Sequence, residues 1–554
     1  MRKHLPWLAL CVAVGLNACA AGPQPQFPSA RLDTARACAD WRWIGISRPG
    51  ARCPDVPGWT VRPLFAQLAP ALEERACENA EKTRQQIKVV QELNRFCVYE
   101  IADPGKSLKQ LPFPPAVTAD LVRFDQDCAA LALTDTDLVA QSWTPDAKVF
   151  LAQAGGPRKP LEINNRLGVR LAFLDTQPTG EGVPTKSGNS MHGYTLARLA
   201  QQLVCAPGSP DRCAAQITTQ LALPIIEFNP EDPSRSRIDK DRGGYLGMQS
   251  NLAEAVRDEV DAWLPKRSSQ RHLILNLSLA WDPELFGGRN ERQVAEMRAG
   301  TQAVYRALQY AAGFDVLVLA AAGNQKQDPC ANFGPLLPAA WERGGPREES
   351  CGAYPEAPLV YAVGGLQADG SPLANARPGG MPRRAAYGAT ELFAGSSVAT
   401  AVASSIAAVV WDTVPSLSPS EVMAILDGTG NGTALNRRVS PKVLNDLLPL
   451  KADFWFGANA SPPPGALAVG GPGDQDAPAV RRLSLCTVLE QACEEHPDVA
   501  CPLHSSCEPE RLARASLSKP DASKTAPKGS CQPWLYPQPE YDPCPGCPPP
   551  KPGS

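Results

Sequence analysis

Four residues in four different local settings have the chemistry needed for acyl transfer. Asp175 ends a short apolar run, His192 opens a helical pattern, and Asn324 directly follows a glycine after another apolar run. Ser397 stands where a small-residue turn leads into a long Ala- and Val-rich stretch, which predicts a buried helix. Acyl transfer by serine needs a nucleophile, a base, a carboxylate that orients the base and donors for the oxyanion. The four residues supply one group for each of these roles.

Each of these residues also has a simpler interpretation when it is taken alone. Ser396 and Ser397 would cap a helix N-terminus. His192 would be a surface histidine at the end of a helix. His272, the other histidine between about residues 130 and 480, starts an apolar run and has no serine motif near it. The catalytic hypothesis therefore depends on whether the fold can bring the four groups together.

The elements that must position these groups alternate along the chain from Val169 onwards. Apolar runs predict strands at 169–174, 214–223, 272–279, 315–320 and 358–364. Helical patterns follow at 190–203, 251–264 and 291–312, and after Ser397. This alternation predicts an α/β fold with a doubly wound parallel sheet covered by helices on both faces. In such a sheet, catalytic groups collect at the carboxyl ends of the strands.

The flanking segments differ from this central part in composition. We predict a signal at residues 1–19, an N-terminal accessory or pro-region at 20–165, a catalytic domain at 166–448 and a tail at 449–554. The N-terminal segment is predicted to be mostly helical, because residues 71–96 lack Gly and Pro and are rich in helix formers. The tail is Cys- and Pro-rich and is predicted to be irregular. Its Cys544 and Cys547 lack histidines at a zinc-site spacing, so a disulfide-stapled tail without metal is favoured.

The first residues indicate export. An apolar run of about ten residues follows Met1–His4, whereas a bilayer span needs about 20. Leu16-Asn17-Ala18-Cys19 resembles the lipobox of bacterial lipoproteins, in which the cysteine is acylated and anchors the mature chain to a membrane. An ordinary signal cleaved near Ala18-Cys19-Ala20 is the alternative, with a periplasmic or secreted product. Both alternatives place the mature protein outside the cytoplasm, in or beyond the cell envelope.

The number of cysteines indicates the redox compartment, and the net charge limits the classes of binding partner. Of the 18 cysteines, Cys11 and Cys19 fall in the signal, and the 16 that remain are an even number suited to disulfides in an oxidising compartment. Cys205 and Cys213 bracket a short loop and are predicted to pair. The net charge of −3, with no basic block, argues against nucleic-acid binding. A monomer that requires no cofactor is expected.

Taken in the order Asp, His, Ser, the motifs resemble those of the subtilisin-like serine peptidases, family S8. The resemblance covers about residues 165 to 435, and it departs from the family pattern at Gln177 and after the nucleophile. The matching segments are Leu174-Asp175-Thr176, Ser190-Met191-His192-Gly193-Tyr194-Thr195, Asn276-Leu277-Ser278-Leu279-Ala280, Ala321-Ala322-Gly323-Asn324, Pro355 through Gly364 and Gly395-Ser396-Ser397-Val398-Ala399.

The resemblance implies a serine endopeptidase that acts on a peptide or protein substrate. Asp175, His192 and Ser397 would be the catalytic triad, and Asn324 would bind the oxyanion. The edge of the strand Ser278, Leu279 and Ala280 would bind the extended substrate by β-augmentation. If Cys330 and Cys351 pair, they would staple the loop after Asn324. A catalytically silent subtilisin-fold binding protein is the alternative, and a serine esterase is disfavoured because Ser397 lacks the Gly-x-Ser-x-Gly elbow.

Overall fold

The computed structural model of the chain comprises two β-sheets with their associated helices. The residues that it describes are 38–65, 80–102, 120–132, 150, 153–154, 168–177, 189–205, 212–286, 288, 293–324, 335–344, 358–368, 370, 372–373, 375–377, 384–389, 394–428, 447–449 and 479–499. Cys19, Cys330, Cys351, Cys544 and Cys547 lie outside the described residues, and so do the predictions made for them.

The described residues of the N-terminal segment form an antiparallel sheet with one helix, which corrects for this part the prediction that the segment is mostly helical. Its elements are β1 (Cys38–Ser47), β2 (Trp59–Pro63), α1 (Ala80–Leu93), β3 (Phe96–Ile101) and β4 (Leu121–Ala132), and the strands lie in the order β2-β3-β1-β4. Pro63 ends the edge strand β2, where a missing N–H costs no bond between central strands. Trp43 of β1 stacks on Phe124 of β4 at 4.9 Å between ring centroids.

The segment predicted to be the catalytic domain has the predicted α/β architecture. Its main sheet runs β15-β16-β14-β13-β12-β10-β5-β6, and all its pairs are parallel except β15 with β16. The elements are, in chain order, β5 (Val169–Asp175), α2 (His192–Val204), β6 (Ala215–Leu221), β7 (Ile225–Glu227), β8 (Arg237–Ile238), β9 (Leu246–Met248), α3 (Gln249–Trp263), β10 (His272–Leu277), β11 (Leu279–Ala280), α4 (Pro283–Phe286), α5 (Ala299–Ala312), β12 (Leu317–Ala321), α6 (Trp341–Gly344), β13 (Tyr361–Leu366), β14 (Arg384–Tyr387), α7 (Ser396–Thr413), α8 (Pro419–Asp427), β15 (Leu447–Pro449), β16 (Ala479–Leu483) and α9 (Leu485–Glu495).

Both faces of the main sheet are buried, which explains why its strands are continuous apolar runs. In β10, Leu273, Leu275 and Leu277 belong to one core cluster while Ile274 belongs to the other. The first cluster contains the inward faces of α3 and α5, and the second contains α2, α7 and α8. Successive side chains of a strand point to opposite faces, so one apolar run fills both layers.

The main sheet extends beyond the domain boundary predicted at residue 448. β16 pairs with β14, and α9 buries Leu485, Val488, Leu489 and Ala492 in the same core cluster as α7. Cys486 and Cys493 of α9 are both disulfide-bonded. The part of the tail that is described is therefore a packed extension of the catalytic domain.

The N-terminal sheet docks on the first turns of α3 and α5. The carboxylate of Asp125 in β4 accepts a hydrogen bond from Ala299 N at 2.9 Å, and the carboxylate of Asp127 accepts one from Ser250 N at 3.3 Å. First-turn amides have no acceptor inside their own helix, and the helix dipole favours a carboxylate there. Nε of Arg42 lies 3.1 Å from Asp127 Oδ2, an ion pair without hydrogen-bond alignment. β4 therefore has a fixed position on the catalytic domain.

The described cysteines of the first 213 residues form three disulfides: Cys38–Cys128, Cys53–Cys97 and Cys205–Cys213. The third confirms the predicted pair, and all three suit an oxidising compartment. Within the described residues, no helix is both long enough and apolar enough to cross a membrane.

His272 is expected to make the fold sensitive to acid. Burial lowers its pKa to about 4, outweighing the hydrogen bond to the Pro415 carbonyl, from an ordinary value of 6.5. Its imidazole stacks on Trp411 at 4.3 Å. The unfolded chain therefore binds an extra proton below pH 6.5, so the stability contributed by neutral His272 is complete above that pH and is lost as the pH falls to about 4. The loss should reach roughly 3 kcal/mol.

The measurement is the free energy of unfolding at pH 7 and pH 4.5 for the parent protein and His272→Gln. The glutamine can still donate to the Pro415 carbonyl, and we expect a smaller loss of stability on acidification in the variant. Burial raises the pKa of Asp127 to about 6, so its contribution to the free energy of unfolding increases as the pH falls below 6, opposite to that of His272. The parent protein and the variant share this contribution of Asp127. Equal acid destabilisation of the two would contradict the prediction.

Candidate active site

Asp175 and His192 meet at the carboxyl end of β5. Nδ1 of His192 lies 2.9 Å from Oδ1 and 2.8 Å from Oδ2 of Asp175. His192 is 0% exposed and Asp175 is 1% exposed. A carboxylate oxygen accepts hydrogen bonds, so the tautomer that fits this contact has its proton on Nδ1 and leaves Nε2 as an acceptor. Nε2 is buried and has no hydrogen-bond partner in the described part of the chain. This is the tautomer required of a general base.

The residues around this pair fix both groups. Asp175 Oδ1 also accepts from Thr176 N at 2.7 Å, and Thr176 Oγ1 accepts from Gly193 N at 2.9 Å. Ser190 Oγ accepts from His192 N at 3.1 Å, so it holds the start of α2. Thr176 and Ser190 were not singled out as positioning residues from sequence, although each lies within two residues of a predicted catalytic residue.

Gly193 is expected to be essential for the Asp175–His192 contact. A Cβ atom at this position would lie 2.2 Å from the Thr176 carbonyl oxygen and 3.0 Å from Asp175 Cβ. Gly193→Ala should therefore push α2 away from the end of β5. Displacements of about 1 Å can cost about 100-fold in rate, and we expect at least that loss in kcat/KM. The matched control is Gly168→Ala, because a Cβ there meets nothing within 4 Å. Equal activity of both variants would contradict the prediction.

Asn324 is held from the first turn of α7. Its Oδ1 accepts from Ser396 N at 2.9 Å and from Ser396 Oγ at 3.0 Å, and Ser396 Oγ accepts from Gly323 N at 3.1 Å. Because Oδ1 faces Ser396, the Nδ2 donors of the carboxamide face away from it. Gly323 has φ +107°, a conformation that favours glycine, so the turn after β12 delivers Asn324 to this position.

Ser397 lies next to Ser396 in the first turn of α7 and is 1% exposed. Its carbonyl oxygen accepts from Ser278 Oγ at 3.2 Å, and Ser278 Oγ also lies 2.7 Å from Asn276 Oδ1. The predicted substrate strand therefore begins in contact with the main-chain carbonyl of the predicted nucleophile, Ser397. The structure brings Asp175 to His192, Asn324 to Ser396 and Ser278 to Ser397. His272 lies at the opposite, amino end of the main sheet.

The predicted substrate edge is paired with a strand of the N-terminal segment. β11 pairs antiparallel with the end of β4, with Leu279 opposite Ala132 and Ala280 opposite Leu131. On its other side, β4 pairs antiparallel with β9, where Met248, Gly247 and Leu246 face residues 129–131. The end of β4 is thus the central strand between β9 and β11. β9 was not identified from sequence because three residues are too few to show a pattern.

Comparison with known proteins gives a family match and several similar solved structures. Residues 242–440 match the model of the subtilase family. No curated protein matches the chain. Similar solved structures include the prenylagaramide maturation protease PagA (16% identity, 64% of this chain and 100% of that chain covered, TM-score 0.34). Another is sphericase, with 18% identity, 53% of this chain and 90% of that chain covered, and a TM-score of 0.32. A third is MycP1 from the ESX-1 type VII secretion system, with 17% identity, 65% of this chain and 88% of that chain covered, and a TM-score of 0.32.

The matched region contains Ser278, Asn324 and Ser397, and its parallel sheet is continuous with β5, which ends at Asp175. The family match and the parallel α/β sheet thus fall in the same part of the chain, and residues 242–440 are similar to the subtilase family.

Proposed function

We propose that the protein is an exported serine endopeptidase that uses Asp175, His192 and Ser397 and forms an acyl-enzyme. The observation that carries the proposal is the buried Asp175–His192 pair, in which Nδ1 lies against the carboxylate and Nε2 has no hydrogen-bond partner among the described residues. It is supported by the subtilase match, which includes Ser397.

In the acylation step, His192 Nε2 takes the Ser397 hydroxyl proton while Oγ attacks the substrate carbonyl carbon. Asp175 keeps the ring in the correct tautomer and stabilises the imidazolium. The imidazolium then protonates the leaving amine, and water hydrolyses the acyl-enzyme by the same proton transfers. Nδ2 of Asn324 and the backbone N–H of Ser397 stabilise the tetrahedral oxyanion. No metal or other cofactor takes part in these steps.

The substrate binds as an extended strand against β11. Main-chain hydrogen bonds to Leu279 and Ala280 give affinity that does not depend on sequence, and Ser278 adjoins the nucleophile. The pairing of β4 with β11 supports this assignment, because it demonstrates that the edge accepts an antiparallel strand.

The same pairing supports a pro-region within residues 20–165. As β4 runs from Leu131 to Ala132, its partners run from Ala280 to Leu279, so the chain advances toward Ser278 and the Ser397 carbonyl. β4 thus occupies the strand position of a substrate and excludes another peptide from it. Removal of this segment would open the site.

Export is supported by the three disulfides, and the proposed lipid anchor is Cys19. An anchor at Cys19 would belong to the N-terminal segment, so cleavage after β4 would separate the catalytic domain from it. Mass spectrometry of the mature N-terminus distinguishes acylation at Cys19 from ordinary signal cleavage.

The function is tested by labelling the purified chain with a fluorophosphonate probe and locating the modified peptide by mass spectrometry. We expect the probe on Ser397, with labelling that increases once the N-terminal segment is removed. A catalytically silent binding module is the alternative. It would leave Ser397 unlabelled even with the β11 edge open.

A further inference from the structure

The Cys38–Cys128 disulfide lies where β4 changes partners within its sheet, from β1 to β9 and β11. Residues 121–126 of β4 pair with β1, whereas residues 129–132 pair with β9 and β11. The β1 register breaks between Trp43, which faces Gln126, and Cys38, which faces Cys128. Four residues of β1 (39–42) therefore stand against one residue of β4 (Asp127), and β1 has no pairing with β4 beyond Cys128. The disulfide is the last link between β1 and the part of β4 that covers the substrate edge.

A cation from the catalytic domain contacts both sulfurs of this disulfide. Arg298 Nη1 lies 3.7 Å from Cys38 Sγ and 3.6 Å from Cys128 Sγ. Arg298 is exposed, Cys38 is half-buried, and Cys128 is 1% exposed. A neighbouring guanidinium stabilises a thiolate, and a stabilised thiolate is a better leaving group in thiol–disulfide exchange. Cys38 is the more accessible sulfur for attack, and Cys128 would then leave beside Arg298.

The second disulfide of the N-terminal sheet has a different environment. Cys97 is fully buried in an apolar cluster, and its sulfur lies 3.6 Å from the Arg95 carbonyl oxygen, just as the sulfur of Cys128 lies 3.6 Å from the Gln126 carbonyl oxygen. The difference is the cation, because within the described residues no guanidinium contacts Cys97, whereas Arg298 contacts both sulfurs of Cys38–Cys128. The two disulfides are therefore expected to differ in how easily they are reduced.

We propose that Cys38–Cys128 is a redox-active latch that a dithiol reductant opens, and that its reduction frees the end of β4 from the substrate edge. A thiolate of the reductant attacks Cys38 Sγ, and Cys128 leaves as a thiolate. The second thiol of the reductant then attacks the mixed disulfide and releases Cys38. The reductant becomes a cyclic disulfide, and the two protein sulfurs gain two electrons and two protons as thiols.

Opening the latch acts on β4 while the rest of the N-terminal sheet stays joined. Cys53–Cys97 still ties β3 to the loop before β2, and β1 still pairs with β4 from Trp43 to Ser47. Residues 129–132 are then held by their strand pairs with β9 and β11 and by the burial of Ala129 and Ala130, and by no covalent link next to them. Loss of the covalent link lowers the free energy needed for local opening of this segment. The regulatory consequence rests on the proposed function, in which β11 binds substrate.

The chemistry is tested by thiol trapping in Ser397→Ala, which prevents self-cleavage. The full chain is equilibrated with mixtures of reduced and oxidised dithiothreitol, alkylated and mapped by mass spectrometry. We expect Cys38 and Cys128 to become reduced at a ratio of reductant to oxidant at least tenfold lower than Cys53 and Cys97. Arg298→Gln should raise the ratio needed at least threefold, and Arg298→Lys should change it less. Simultaneous reduction of both disulfides, or no effect of Arg298→Gln, would overturn the proposal.

The latch is tested by backbone hydrogen exchange of residues 129–132 and 279–280 in the same Ser397→Ala chain. Reduction of Cys38–Cys128 should speed their exchange at least tenfold. Cys38→Ser combined with Cys128→Ser should exchange fast with or without reductant. Unchanged exchange on reduction would refute the latch. Faster exchange without faster peptide hydrolysis by the unsubstituted chain would uphold the latch and count against the proposed peptidase function.

Discussion

Ser397→Ala is expected to lower peptide hydrolysis by about 10⁴–10⁶-fold and to abolish fluorophosphonate labelling. The methyl side chain cannot attack a carbonyl, so no acyl-enzyme forms. The residual rate comes from oxyanion stabilisation and substrate binding alone. The fold should be preserved because the contacts of the Ser397 backbone with α7 and Ser278 remain. The measurements are kcat/KM on an extended peptide, probe labelling and the thermal unfolding midpoint.

Ser396→Ala is the matched control, since it removes a hydroxyl from the preceding residue of the same helical turn. The nucleophile remains, so labelling should persist. The backbone N of Ser396 still donates to Asn324 Oδ1 at 2.9 Å, while the hydroxyl contacts with Asn324 and Gly323 are lost. We expect a loss of about tenfold in kcat, which corresponds to the free energy of roughly one hydrogen bond between neutral groups. If Ser396→Ala removed labelling and Ser397→Ala kept it, the assignment of the nucleophile would be wrong.

Sequence alone predicted the parts of the fold whose signals are local and long. The runs that became β5, β10, β12 and β13 are apolar throughout because both faces of the sheet are buried, and this pattern is specific to a covered parallel sheet. The N-terminal sheet was missed because its signals are weaker. β3 is buried on both faces but is only six residues long, the loop before β2 contains prolines, and α1 gave the strongest pattern of the segment.

The sequence could indicate the type of each site residue but not the contacts that hold it. The pairing of Asp175 with His192 joins residues 17 positions apart, and the contact of Ser396 with Asn324 spans 72. Neither contact leaves a mark on local composition. The pairing of β4 with β11 could not be predicted for the same reason. It depends on carboxylates of β4 meeting the first turns of α3 and α5, which only the folded chain brings together.

Asn324→Ala is expected to lower kcat by about 10²–10³-fold with little change in KM, because an oxyanion donor acts on charge that develops only in the transition state. Ser396 N and Oγ would lose their shared acceptor, so part of any effect could come from movement of α7. Asn324→Asp separates the two causes. Its carboxylate keeps an oxygen where Oδ1 accepts from Ser396, but it replaces the Nδ2 donors by an oxygen that repels the oxyanion.

We therefore expect Asn324→Asp to lose at least as much kcat as Asn324→Ala, with a thermal unfolding midpoint closer to that of the parent protein. Both variants should still label with fluorophosphonate, more slowly, because Ser397 and His192 are intact. Near-parental kcat in Asn324→Asp would show that the side chain acts only as an acceptor for Ser396. Since the two variants differ in which half of the carboxamide they preserve, a loss common to both can be attributed to the Nδ2 donors.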